Sequence, residues 1–132
     1  MTQDLIDLER SVIALLLAGQ HPVLDALRRQ FQVSNVERRE LTGCGFFTYF
    51  IVDHSAAPPS AQKSLRIGDV DAIIPGLRLG AGFVLFVEDG YLDNLEGYTY
   101  DEPWPSSVSG FETTYTGGSR NMEGLNLDHE AD

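Results

Sequence analysis

Cysteine is almost absent: one residue, Cys44, stands in a chain of 132, so no intrachain disulfide can form and a small disulfide-stapled secreted scaffold is excluded. The apolar run near the start, Val12 to Ala18, is seven residues long, far short of the roughly 20 that a bilayer-spanning helix needs. Where a secretory leader would carry basic residues, the chain has Asp4, Asp7 and Glu9, and a cytoplasmic location is expected. Basic residues are also missing from the last third, where residues 88–132 hold 11 acids and a single base, Arg120. With 20 acids against 9 bases and a net charge of −11, the chain repels nucleic acid and anionic membrane, so neither is expected as a partner.

Motifs for the commonest chemistries are missing as well. No phosphate loop or nucleophile elbow occurs, and the two Gly-x-Gly pairs, at Gly43 and Gly80, open strands where a dinucleotide fingerprint requires a helix. His21, His54 and His129 are scattered without zinc-ligand spacing, so no metal, cofactor or catalytic residue is assigned. Asp53-His54-Ser55 reads as an exposed loop, because adjacent residues diverge in space instead of converging on one atom. Cys44, between two glycines at the entry to an apolar strand, reads as a small buried thiol. Asp69 and Asp71 read as the solvated face of an edge strand.

What is present is α+β patterning in a chain long enough for one domain. Leu5, Leu8, Val12, Leu15 and Leu16 recur at helical spacing with Thr2 as N-cap, and Gly19 then ends the helix. Pro22 opens a second helix running to about Phe31, with Leu24, Leu27 and Phe31 on its inner stripe. The helices thus span about 3–31. A mainly antiparallel sheet of about five or six strands follows over about 36–116. Asp89-Gly90 supplies a type I′ turn between FVLFVE and YLDNLEGYTY, which predicts a hairpin. Phe46 to Val52 is apolar on both faces and needs a second cover, from a dimer partner or from the C-terminal segment folding back. The domain is expected over 1–117, with 118–132 an acidic tail.

The segment 88–105 carries six acids, no base, and Tyr91, Tyr98, Tyr100 and Trp104. Rings interleaved with carboxylates suit a cationic partner, since rings give rigid contact area and cation–π capacity while acids give steering and charge-assisted hydrogen bonds. Glu88, Asp93, Glu96, Tyr98, Tyr100, Asp101 and Trp104 are the candidate partner-binding residues. The competing packing role has Leu92, Leu95 and Trp104 covering the sheet edge.

The strings ELTGCGFFTYF, DVDAIIPGL and GAGFVLFVEDGYLDNLEGYTYDEPWP resemble a family of small uncharacterised bacterial proteins with a Leu-Glu-Gly-Tyr-Thr-Tyr…Trp-Pro signature. The resemblance spans about residues 36–105 and implies no activity or catalytic residues. In size and acidity the chain resembles immunity proteins that neutralise antibacterial toxins. The resulting expectation is a non-catalytic acidic protein, of the immunity or inhibitor kind, that docks a basic partner through the 88–105 hairpin. Two alternatives stand beside it: a small enzyme or ligand-binding domain with a sheet pocket at Glu96, Tyr98, Glu40 and Tyr49, and a structural subunit with an apolar patch on the sheet face opposite the helices.

Overall fold

The computed structural model describes residues 5–128. Two helices, α1 (Asp7–Leu16) and α2 (Pro22–Gln32), precede six strands: β1 (Ser34–Leu41), β2 (Gly45–Val52), β3 (Leu65–Ile73), β4 (Ala81–Glu88), β5 (Tyr91–Thr99) and β6 (Glu112–Tyr115). The strands form one sheet in the order β1-β2-β5-β4-β3-β6, and every neighbouring pair is antiparallel. The chain is therefore α+β, with its helices N-terminal to its strands.

Both helices lie on one face of the sheet. Leu8, Val12, Ile13 and Leu16 of α1 and Val23, Leu24 and Leu27 of α2 meet an inner row that includes Phe46, Phe50, Ile67, Val70, Phe83, Leu85 and Leu95. Phe83 is fully buried, and burying a side chain of that size contributes about 2–3 kcal/mol. Strand alternation then sends Phe47, Tyr49 and Ile51 of β2, Val84 and Phe86 of β4, and Asn94, Glu96 and Tyr98 of β5 to the other face.

The expected hairpin is present, with Asp89 (φ 53°) and Gly90 (φ 83°) both left-handed as a type I′ turn requires. Gln30 of α2 pins this turn from inside the core. Its amide donates to the carbonyl oxygens of Gly90 (2.8 Å) and Pro58 (3.1 Å), and its Oε1 accepts from Leu92 N–H at 2.9 Å.

Three local expectations need correction. Helix α1 starts at Asp7, not near residue 3, because Glu9 turns back to accept from the Ile6 N–H at 3.0 Å and closes the first turn there; Thr2 lies outside the described residues. Asp69 and Asp71 do not share a face, since a bulge between Ile67 and Val70 turns Asp69 toward Arg120 while Asp71 accepts from Thr116 Oγ1. The segment from 118 is no detached acidic tail as far as Asp128. Arg120 bridges bidentately to Asp69 and donates to the Leu16 and Ala18 carbonyls at the end of α1. Leu125 and Leu127 join the core, and Asp128 accepts from His21 Nε2 at 2.7 Å. His21 Nδ1 accepts the Val23 N–H as N-cap of α2, which leaves the proton on Nε2 for Asp128.

Candidate functional site

As far as Asp128, the C-terminal segment folds back on the helix side of the sheet, so these described residues do not supply the second cover expected for Phe46–Val52. The outer face keeps its apolar groups in water: Ile51 is 51% exposed, Ile73 61% and Tyr100 40%, while Phe47, Tyr49, Val84, Phe86 and Tyr98 are half-buried. This is a contiguous aromatic surface of the kind that marks an interaction site.

Register gives the layout. One row across the sheet runs Gly45, Tyr98, Gly82, Asp71, Thr114, and the next runs Glu40, Phe47, Glu96, Val84. A third runs Arg38, Tyr49, Asn94, Phe86, Arg66. Tyr98 thus has glycine on both sides, and Gly82 is what lets it lie down. A Cβ on Gly82 would fall 2.6 Å from Tyr98 Cζ and Oη and 2.9 Å from Tyr100 Oη. The two rings meet edge to face at 5.6 Å. Burial, then the neighbouring Tyr100, then the charges of Asp71 and Glu96 push the Tyr98 phenol up from 10.0 to about 12.

At the β1 end of the same face a guanidinium is already held. Arg38 Cζ sits 3.9 Å above the Tyr49 ring centroid, Arg38 Nε lies 3.2 Å from Glu40 Oε1, and the Tyr49 hydroxyl reaches Glu40 Oε2 at 3.5 Å. The hydrogen bond to Glu40 is the main cause that raises the Arg38 pKa above its ordinary value. Glu96 and Asp71, by contrast, take part in no ion pair among the described residues. Asn94 Oδ1, in the row between Tyr49 and Phe86, is buried without a hydrogen-bond partner.

The candidate residues of segment 88–105 are therefore divided. Glu96 and Tyr98 lie on the outer face with Tyr100 beside them. Glu88 is exposed near the hairpin turn, Asp93 is a half-buried bulge residue that accepts from Asn94, and Asp101 occupies an exposed turn at φ 61°. Trp104 goes to the helix side, edge to face with Phe46 at 5.0 Å. Leu92 and Leu95 are buried and Trp104 packs against the core, as the packing role expects of them, but Leu92 and Leu95 lie on a central strand, between β2 and β4, and not at the sheet edge. Glu40, Tyr49, Glu96 and Tyr98, the alternative pocket set, do share the outer face. Phe47, Phe86 and Asp71 were missed as parts of this surface, although alternation along FFTYFIV and FVLFV would have assigned the two rings to it.

On the opposite side, Trp104 borders a cleft of about 400 Å³ lined by Ile6, Glu9, Arg39, Leu41, Phe46 and Pro105 among others. Glu9 is fully buried there; its carboxylate is 2.6 Å from Arg39 Nη2 and accepts from Thr48 Oγ1. Nothing in the sequence separated this acid from the other solvent-facing acids of a first helical turn. Cys44 is exposed, not buried, because Gly43 and Gly45 place it in the β1–β2 turn. His54 stacks on Tyr91 at 3.6 Å, and Asp53 accepts from the Ser55 N–H and hydroxyl, so Asp53-His54-Ser55 makes local contacts and no catalytic grouping. Among the described residues no helix is long and apolar enough to cross a membrane. No family model matches the chain, and neither a curated protein nor a solved structure is significantly similar to it.

Proposed function

We propose that this chain is a non-catalytic binding protein of the inhibitor or immunity kind, which docks a basic protein on the outer face of its sheet around Tyr98, Tyr100 and Glu96. The carrying observation is that the uncovered face sets half-buried rings beside the carboxylates of Glu96 and Asp71, which no internal cation neutralises among the described residues. Rigid aromatic area surrounded by charge is the composition of interface hot spots. A net charge of −11 steers a basic partner and repels acidic ones, copies of the same chain included. The resemblance of residues 36–105 to small bacterial proteins with the same Tyr-Thr-Tyr signature, and of the chain's size and acidity to immunity proteins, fits this role.

The test is capture from native lysate with three baits: wild type, Glu96→Lys/Tyr98→Ala, and Glu88→Lys/Asp93→Asn. A basic protein held by the wild type and the second variant pair, and lost from the first, supports the proposal. Loss with Glu88→Lys/Asp93→Asn alone, or capture of acidic proteins only, contradicts it. A second reading, a small ligand-binding domain, draws on the cleft at Trp104. Its test is the emission of Trp104, the only tryptophan, during titration with small apolar molecules such as indole.

A further inference from the structure

The chain holds guanidinium groups in one repeated way. Arg38 lies over the ring of Tyr49 and pairs with Glu40. Arg120 lies 5.1 Å from the ring centroid of Tyr115, and its Nε and Nη2 reach the two oxygens of Asp69 at 2.9 and 3.1 Å. In each case a tyrosine face takes the flat side of the cation and a carboxylate takes its N–H edge. Ring stacking and carboxylate pairing are the two contacts that suit a planar, weakly hydrated guanidinium and that a compact, strongly hydrated ammonium makes less well.

The row at the centre of the outer face repeats these components. Tyr98 and Tyr100 are set at 79° to one another. Asp71 lies one strand beyond Gly82 in the same row, and Glu96 lies two residues along β5. Gly45 and Gly82 clear the backbone on either side of Tyr98, so the ring rests on the sheet at a fixed height. Asp71 and Glu96 are close enough to act electrostatically on the Tyr98 hydroxyl. Unlike the Tyr49 and Tyr115 sets, this one contains no arginine among the described residues.

We infer that Tyr98, Tyr100, Glu96 and Asp71 form a receptor for an arginine side chain of the partner, selecting guanidinium over ammonium. The inference rests on the docking reading above and names the group that the face recognises. The partner's arginine lies against a tyrosine face with its N–H edge toward Glu96 or Asp71, as Arg38 does with Tyr49 and Glu40.

The experiment uses the full chain and two small probes, N-acetyl-arginine amide and N-acetyl-lysine amide, titrated at equal ionic strength while the tyrosine ring resonances are followed by NMR. The Tyr98 and Tyr100 rings are expected to move, with the arginine probe bound about five-fold more tightly, as a stacked and paired guanidinium predicts. Glu96→Gln and Asp71→Asn, both at half-buried positions of a strand surface, should each weaken the arginine probe by about three-fold, the range of a single partly exposed ion pair. Equal affinities for the two probes overturn the selectivity while leaving docking of a basic partner standing. Ring shifts that survive both substitutions, or no ring shifts with either probe, overturn the receptor itself, and the capture experiment then decides the docking reading alone.

Discussion

Gly82→Ala should separate the recognition surface from the fold. The backbone of Gly82 is not in the left-handed region, so alanine fits the strand and gains about 0.5–1 kcal/mol over glycine there. Its Cβ, however, would stand 2.6 Å from Tyr98 Cζ and Oη and 2.9 Å from Tyr100 Oη, whereas ordinary contacts need about 3.5–4.0 Å. Each ring must retreat by about 1 Å, and each off-rotamer adjustment costs about 0.5–1.5 kcal/mol. These opposing effects leave a net loss of about 1 kcal/mol, a Tm drop of about 3–5 °C for a domain of this size. The site should suffer more than the fold, since the Tyr98 phenol, now pushed up to about 12 by burial first and its neighbours second, rises toward water and titrates nearer its ordinary value. Thermal unfolding by circular dichroism reads the first effect and tyrosinate absorbance against pH reads the second. A variant that unfolds more than about 10 °C earlier, or whose Tyr98 titrates as in the wild type, would refute the reasoning.

Other outcomes follow from the core and the same phenol. Gln30→Leu leaves the Leu92 N–H and Pro58 carbonyl without their side-chain partner, while the Gly90 carbonyl keeps Ser60 N–H. The expected loss is about 2–4 kcal/mol, read as a lower urea midpoint and faster exchange of the Leu92 amide; an unchanged midpoint would contradict it. Glu9→Gln breaks the buried pair with Arg39. Because the Arg39 side chain is 18% exposed, the cost should fall below the usual 3–5 kcal/mol, at about 2–3, and equal stability of variant and wild type would show that the pair contributes nothing. The raised Tyr98 pKa means that the folded state holds its proton where the unfolded state releases it. Stability from this group is complete below pH 10 and lost as pH climbs toward about 12. Tyr98→Phe should flatten that alkaline slope in pH-dependent denaturation, and a slope that persists would assign it to other groups.

Much of the fold could be read from local pattern. Helix periodicity, Pro22 at a helix start and Asp89-Gly90 at the hairpin each act within a few residues, and they specify two helices and the β4–β5 pair. The strand Glu112–Tyr115 likewise falls inside the stretch of about 36–116 expected to form the sheet. Harder to read were features set by tertiary partners. Glu9 looks like any acid of a first helical turn until Arg39 arrives from β1 and Thr48 from β2. Arg120, Leu125 and Leu127 look like part of an acidic tail because their partners, Asp69, the end of α1 and the helix side of the core, lie at least 50 residues away in sequence. The site was legible in composition but not in direction. Residue alternation puts Tyr98 and Glu96 on one face, but Trp104 follows the strand's end, where the chain turns under the sheet to meet Phe46. Continuous apolar character in FFTYFIV was read as burial on both sides. One of those sides is an aromatic surface over which the described residues place no second layer.

Hydroxyl-radical footprinting of the chain with its captured basic partner tests the central claim most directly, because it reports side chains face by face. The account predicts protection of Tyr98, Tyr100, Phe47 and Phe86, with Trp104, Leu41 and Ile6 as reactive in the complex as in the isolated chain. Protection of Trp104, Leu41 and Ile6 with the four outer-face rings unchanged would contradict it.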